Sequence, residues 1–334
     1  MAGLPDRKSL PDRKSLPDRR SFVSGAAAGL LCASLASAQD RLAPAQDRRA
    51  PAQDRLAIAG EPPRYDPRPL SAVPNAQAIG RRYWVPGLNE GYVPQGLTVA
   101  GNDILVAAYR SIDPRQDNGL AKVFRLARRD GRLAGSFDLP EAYGHPGGLA
   151  SSGTRLFVAN SGRLLALDLP ASLRSGSPAI IGERRVDKTM GPSFLACEGD
   201  ALWFGPFRRQ GEAILYGVPL TRVFDGGSDP IGPGDASRRL PLPLLAQGAT
   251  FDRSGGLWIS ESAGNRAGAL HRLDPRSGAV LASYAAPGGI EDLGCATDGR
   301  LWAVSEAGSQ RWSRWETFYP LVFEIDPGKL IAQG

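Results

Sequence analysis

Residues 246–262 read A-Q-G-A-T-F-D-R-S-G-G-L-W-I-S-E-S. A polar approach, Ala246-Gln247-Gly248, leads into a short small/apolar run that ends at Phe251. Asp252 to Gly256 make a polar turn, and Leu257-Trp258-Ile259 then runs out into Ser260-Glu261-Ser262. Two short runs joined by a glycine-bearing turn predict a β-hairpin.

The same unit recurs along the chain. Gln95-Gly96-Leu97 leads to strand 104–109, Gly147-Gly148-Leu149 to Leu156–Ala159, Ser193-Phe194-Leu195 to Leu202–Phe204, and Glu291-Asp292-Leu293 to Leu301–Val304. A repeat of about 50 residues signals a repeat architecture. Each copy goes on to a third strand, such as Leu270 to Leu273, and most to a fourth, such as Ala279 to Tyr284. Four-stranded antiparallel units with no long helix and many glycines predict an all-β fold, a β-propeller. Five blades are expected; a sixth hidden in 217–245 is the alternative. The last copy stops after its third strand, and Ile79 to Pro86 could supply the missing fourth, closing the ring and removing its edges.

Ahead of the propeller (78–331) lie two tandem arrays. Residues 4–21 repeat L-P-D-R-K/R-S and run into Arg19-Arg20-Ser21-Phe22; Gly25 to Leu35 is apolar, and Ala36-Ser37-Ala38 offers a small-x-small cleavage site. The apolar run is too short for a stable membrane anchor. Residues 1–38 therefore read as a signal peptide of twin-arginine type, with a periplasmic or secreted product. Sec export and cytoplasmic residence are the alternatives. Residues 39–77, built on A-Q-D-R-x-A-P and then Pro-rich, read as a disordered linker.

The net charge is +6, and the first 38 residues supply half of it. No basic patch with interleaved aromatics appears, so no nucleic-acid partner is expected; a monomer is. Of three cysteines, Cys32 lies in the leader. Cys197 and Cys295 end short apolar strands and read as buried thiols, with a disulfide between them as the alternative.

In a propeller the loop entering each first strand and the loop leaving each second strand share one face. Gln95, Gly147, Ser193, Gln247 and Glu291 occupy the first set; Asn160, Arg208, Arg209, Glu261, Arg266, Glu306 and Arg311 belong to the second. Three readings stand open for this polar mouth. Glu261, Glu291 and Glu306 could bind Ca²⁺ or another divalent cation that activates water for lactone or ester hydrolysis. Alternatively, Gln95, Asn160, Ser193, Arg208, Gln247, Arg266 and Arg311 bind a small polar molecule without chemistry. In the third, these residues pair with one another and cap the channel of a scaffold propeller. Strand alternation turns Asp292 away from Glu291, which makes it structural. His145 is the candidate acid/base group; His271, in a third strand, has no expected role. The aromatic segment Gln310 to Tyr319 either stacks on a sugar or aromatic ligand or folds over the mouth or against Tyr83 and Trp84. No nucleophile elbow, zinc spacing, P-loop or dinucleotide fingerprint is present.

The pattern Q-G-[LA]…G-x-L-W-[IA], with D-P-x-S-G turns, resembles the loose superfamily of SMP-30/gluconolactonase, NHL and strictosidine-synthase-like propellers over roughly 79–331. The V-P-Q-G-L at Val93 to Leu97 and the S-E-A-G at Ser305 to Gly308 are also similar to uncharacterised exported bacterial propellers. The resemblance implies the fold. Gluconolactonase-like enzymes set a Glu, two Asn and an Asp around a metal. Here the first blade offers Gln95 and the Asn/Asp pattern is absent, so no catalytic residue transfers.

Overall fold

The computed structural model describes residues 58–115, 119–160, 162–225, 227 and 229–333. The leader and residues 39–57 of the linker lie outside the described residues, so the export and cleavage readings do too. Five four-stranded antiparallel sheets make up a five-bladed β-propeller. Blade 1 is β2 (Tyr92–Ala100), β3 (Asp103–Arg110), β4 (Ala121–Ala127) and β5 (Leu133–Asp138). Blade 2 is β6 (Gly148–Ser152), β7 (Arg155–Asn160), β8 (Arg163–Asp168) and β9 (Ile180–Arg185). Blade 3 is β10 (Phe194–Glu198), β11 (Ala201–Gly205), β12 (Ile214–Pro219) and β13 (Arg238–Pro241). Blade 4 is β14 (Ala246–Phe251), β15 (Leu257–Glu261), β16 (Gly268–Leu273) and β17 (Val280–Ala286). Blade 5 is β18 (Ile290–Cys295), β19 (Leu301–Ser305) and β20 (Leu321–Ile325), completed by β1 (Ile79–Trp84).

Segment 217–245 holds no sixth blade: it contributes a short helix, Leu220–Phe224, and the outer strand of blade 3. The ring closes as expected, because β1 pairs antiparallel with β20, Tyr83 opposite Val322 and Trp84 opposite Leu321. Stacking of Tyr83 on Trp302, centroids 5.5 Å apart, adds packing to that closure.

Local chemistry explains the repeated hairpin. The Asp252 carboxylate accepts from the backbone N–H of Ser254 and Gly256 and from the Trp258 indole, while Gly255 takes φ +82°. The aspartate thus holds the turn and pins the first aromatic of the next strand. Trp258 stacks on Tyr284 within its blade, and Phe251 packs on Trp203 of blade 3 at 5.4 Å. The aromatics of this hairpin therefore fill both the sheet and the wedge between blades.

The inner strands meet around the channel, and their small residues permit it. A Cβ on Gly148 would lie 2.4 Å from Phe194 Cα, and one on Gly248 would lie 2.6 Å from Asp292 Cα. Asp292 has no exposure. Its Oδ2 accepts from the N–H of Leu97 (3.0 Å) and Leu149 (2.9 Å), its Oδ1 from that of Leu293 (2.9 Å), and the Ala249 N–H also donates to it. One carboxylate on the axis therefore ties the inner strands of blades 1, 2, 4 and 5.

One expectation fails. Residues 61–76, assigned to a disordered linker, are held against the last blade. Tyr65 Oη donates to Gly308 O, Arg68 donates to the carbonyls of Ser313 and Trp315, and Ser71 and Phe318 exchange hydrogen bonds. Asp66 pairs with Arg68 at 2.7 Å and orients it. The segment stays extended because it is Pro-rich, and it is ordered because it finds backbone partners in a loop that has no strand of its own. Cys197 and Cys295 are free thiols, pushed up to about 12 and about 11 by burial. Among the described residues, no helix is long and apolar enough to cross a membrane.

Candidate functional site

Three of the inner strands are irregular at one equivalent place. Their pairing slips between Pro94 and Leu97, between Ala246 and Gly248, and between Ile290 and Leu293. The residues inside these slips include Gln95, Gln247 and Glu291. A β-bulge re-aims the side chain it carries, and here all three amides and carboxyls meet at one end of the channel. The innermost strand pairs of blades 2 and 3 run without a slip.

That end opens into a cavity of about 500 Å³. Its polar floor includes Gln95, Gln247 and Glu306; Tyr109, Phe207 and Trp312 supply aromatic walls; His145, Lys188, Arg209 and Arg311 reach it from the loops. Glu306 is the hub. Its Oε2 accepts from the Trp312 indole at 2.7 Å and from Gln95 Nε2 at 2.9 Å. Gln95 Oε1 in turn meets His145 Nε2 at 2.9 Å. An amide oxygen accepts, so His145 carries its proton on Nε2. Behind Glu306 sits Glu291, wholly buried, with Gln247 Nε2 donating to its Oε1 at 3.2 Å.

The two glutamates are hydrogen-bonded to each other, and their proton affinities separate. Burial, then the neighbouring Glu306 carboxyl, holds Glu291 well above the ordinary range, so it keeps its proton and donates it to Glu306. Burial pushes Glu306 up to about 7, while the Trp312 donor and Glu291 oppose the rise. His145 is driven the other way, to about 4, by burial and then by the Arg311 charge. It is a neutral donor at pH 7 and too weakly basic to serve as the proton acceptor. Its ring stacks on Tyr109, centroids 4.7 Å apart.

The other sequence candidates divide clearly. Arg311 is on site, above Tyr109 and Trp312, but its guanidinium is spent on Ser111 Oγ (2.6 Å) and Pro114 O (3.2 Å). Asn160 takes the His145 backbone N–H at 2.8 Å and so fixes the loop rather than lining the cavity. Ser193 lines the cavity, yet its hydroxyl is occupied by Gly191 O and the Phe207 N–H. Arg208 contacts Thr189 O at 3.5 Å, and Arg266 is exposed; neither lines the cavity. Arg209, placed at the mouth by the repeat pattern, does line the cavity, whereas Tyr109, Phe207 and Lys188 are lining residues that the sequence reading did not single out. Tyr109 sits at the end of a second strand, where the repeat pattern could have marked it.

The metal set is not assembled. Glu261 accepts from His271 Nε2 at 2.7 Å, within its own blade, which gives His271 the role the sequence did not assign it. Among the described residues no group of three or more His, Cys, Asp or Glu side chains could hold a metal ion. The Glu306 oxygen nearest the cavity network already faces two N–H donors, which would repel a cation. The residues present therefore do not fit the Ca²⁺ site expected of Glu261, Glu291 and Glu306. Adding 5–10 equivalents of Ca²⁺, roughly saturating for a micromolar site, or adding EDTA, is expected to leave the melting temperature unchanged. A calcium-dependent rise of several degrees would reinstate the ion.

The aromatic loop folds both over the mouth and against the closing strand. Trp312 covers the mouth, stacked on Trp315 at 4.6 Å, while Phe318 packs near Trp84. The Asp66–Arg68 pair clamps the loop through Ser313 and Trp315 and so holds Trp312 over Glu306.

No family model matches the sequence, and no curated protein matches it. Solved structures do. Glutaminyl cyclase of Myxococcus xanthus is 14% identical with a TM-score of 0.52, covering 77% of this chain and 97% of its own. The PQQ-bound aldose sugar dehydrogenase of Streptomyces coelicolor is 14% identical with a TM-score of 0.44, over 70% of this chain and 94% of its own. A luciferin-regenerating enzyme is 10% identical with a TM-score of 0.42, over 72% and 94%. The likeness is one of fold: this chain is a propeller among propellers.

Proposed function

We propose that the cavity binds a small polar molecule and that Glu306 acts on it as a general acid/base, with lactone or ester hydrolysis as the reaction. The observation that carries this reading is a carboxyl tuned to about 7 beside a 500 Å³ cavity. Strongly shifted groups in clefts concentrate at functional sites, and a general base works best when its pKa lies near the operating pH.

The chemistry needs no group beyond the chain and water. The Glu306 carboxylate removes a proton from a water attacking the acyl carbon; the carbon–oxygen bond to the leaving group breaks; Glu306 returns the proton to the departing alkoxide. Glu291 stays protonated throughout and holds Glu306 in place. Gln95 orients the same oxygen, and neutral His145 orients Gln95. Tyr109, Phe207 and Trp312 supply flat apolar surface for the body of the substrate.

The test is a panel of lactones and esters, with an N-terminal glutaminyl dipeptide included because one fold neighbour is a glutaminyl cyclase. Turnover of an ester or lactone that rises with pH through about 7 supports the reading. Binding without turnover of any member leaves the non-catalytic, ligand-binding reading in its place.

The leader belongs to the same proposal: a folded domain is exported by the twin-arginine route. Replacing Arg19 and Arg20 by Lys is expected to retain the protein in the cytoplasmic fraction. Unchanged periplasmic recovery would remove that route.

A further inference from the structure

The geometry points to an anion-binding subsite on the blade 3 side of the cavity, formed by Lys188 and Arg209, which makes the substrate a small acyl compound that carries a carboxylate. This rests on the acid/base reading of Glu306 and says what the enzyme would take.

The lining charges are unevenly placed. Both glutamates come from blade 5, whereas Lys188 lies in the loop entering β10 and Arg209 in the loop leaving β11. The third cation, Arg311, is already held by Ser111 and Pro114. Among the described residues neither Lys188 nor Arg209 stands in an ion pair. Asp187, beside Lys188, turns its Oδ1 to the backbone N–H and hydroxyl of Thr189. Arg209 lies over the Phe207 ring, 5.4 Å from its centroid, which leaves the guanidinium edge open to a ligand. Glycines at 147, 162 and 191 line the same cavity.

A cavity with a proton acceptor on one wall and two uncommitted cations on another suits a molecule with two ends. The carboxylate would rest on the Lys188 ammonium and the Arg209 fork, and the acyl carbon would face Glu306. Bound this way, the substrate also compensates a local excess of positive charge.

The experiment compares the monoethyl and diethyl esters of glutaric acid, with glutarate itself as a non-reacting probe, on the mature chain. The half-ester is expected to give the higher kcat/KM by about tenfold or more at low salt, with the preference shrinking as ionic strength rises. The Lys188→Ala/Arg209→Ala double variant is expected to collapse the half-ester to diester ratio, chiefly through KM. Lys188→Arg and Arg209→Lys, which keep the charge, should retain it. Hydrolysis of both esters with no preference would overturn the subsite and leave the acid/base reading standing. Hydrolysis of neither, with glutarate binding that the double variant loses, would keep the subsite and overturn the reaction. Absence of both hydrolysis and glutarate binding would overturn the subsite as well.

Discussion

Replacing Asp292 with Ala is expected to lower the unfolding free energy by about 4 kcal/mol or more. The carboxylate is unexposed and accepts four backbone N–H groups from four different inner strands. A buried N–H left without an acceptor costs about 1–3 kcal/mol, and here four are orphaned together. Domains of this kind hold only about 5–15 kcal/mol in total, so the Ala variant should unfold near ambient temperature or at much lower urea. Burial pushes the carboxyl of Asp292 up, and the same four donors oppose that shift. Asp292→Asn is the finer test. It keeps the size but turns an NH₂ toward two donors, so it should cost less than Ala and still more than an ordinary surface change. A loss below about 1 kcal/mol in both variants, the level of a single ordinary hydrogen bond, would refute the axial role.

The second large effect is chemical. Glu306→Gln is expected to reduce kcat by about 10²–10⁴ on any acyl substrate the protein turns over. Gln keeps the shape and can still accept from Trp312 and Gln95, so the fold should survive; what is lost is the proton acceptor. The pH dependence gives the sharper signature. With Glu306 pushed up to about 7, turnover should rise with pH through that value and level off above it. Stability should run the opposite way. The folded carboxyl keeps its proton where the unfolded one would release it, so its contribution is full below about 4.5, the unfolded value, and is lost as pH rises through about 7. Wild type should therefore melt lower at pH 8 than at pH 5, and Glu306→Gln should flatten that difference. An unchanged kcat in the variant would remove Glu306 from the chemistry. A pH–rate profile flat across 5–9 would remove the tuned carboxyl from it as well.

Much of the frame was legible beforehand because repetition makes it so. Five copies of strand, tight turn, strand each carry a glycine in the turn, and four of the five put an aromatic (Phe157, Trp203, Trp258, Trp302) directly after the leucine of the next strand, so periodic burial uses them alike. The closing strand could be read from a deficit: a last copy one strand short and an unclaimed apolar run at the other end of the domain. The same alignment placed Gln95, Gln247, Glu291 and Glu306 at one mouth. It also placed Glu261 there, where the structure instead gives it to His271. Strand position fixes the end of a blade a residue occupies, but not the partner its side chain finds.

Residues 61–76 show a second limit. Their composition reads as linker, and a Pro-rich chain without an apolar face gives no internal reason to be ordered. Its order comes from carbonyls of the 313–315 loop that lie more than 200 positions away and are supplied only by the closed ring. The bulges mark the third. Nothing in the spacing of Gln95, Gln247 and Glu291 announces an extra residue in the ladder; the slip appears where inner strands crowd the axis.

The sequence by itself determined the four-stranded blade and the strand that closes the ring, because these follow from local propensity and burial repeated along the chain; it left five or six blades open, and the structure shows five. The tertiary structure alone decided which polar residues became a site. Proton affinity depends on what is buried beside a carboxyl. Glu291 and Glu306 acquire their opposed roles because two blade-5 segments, bent by a bulge and roofed by Trp312, press two acids together away from water.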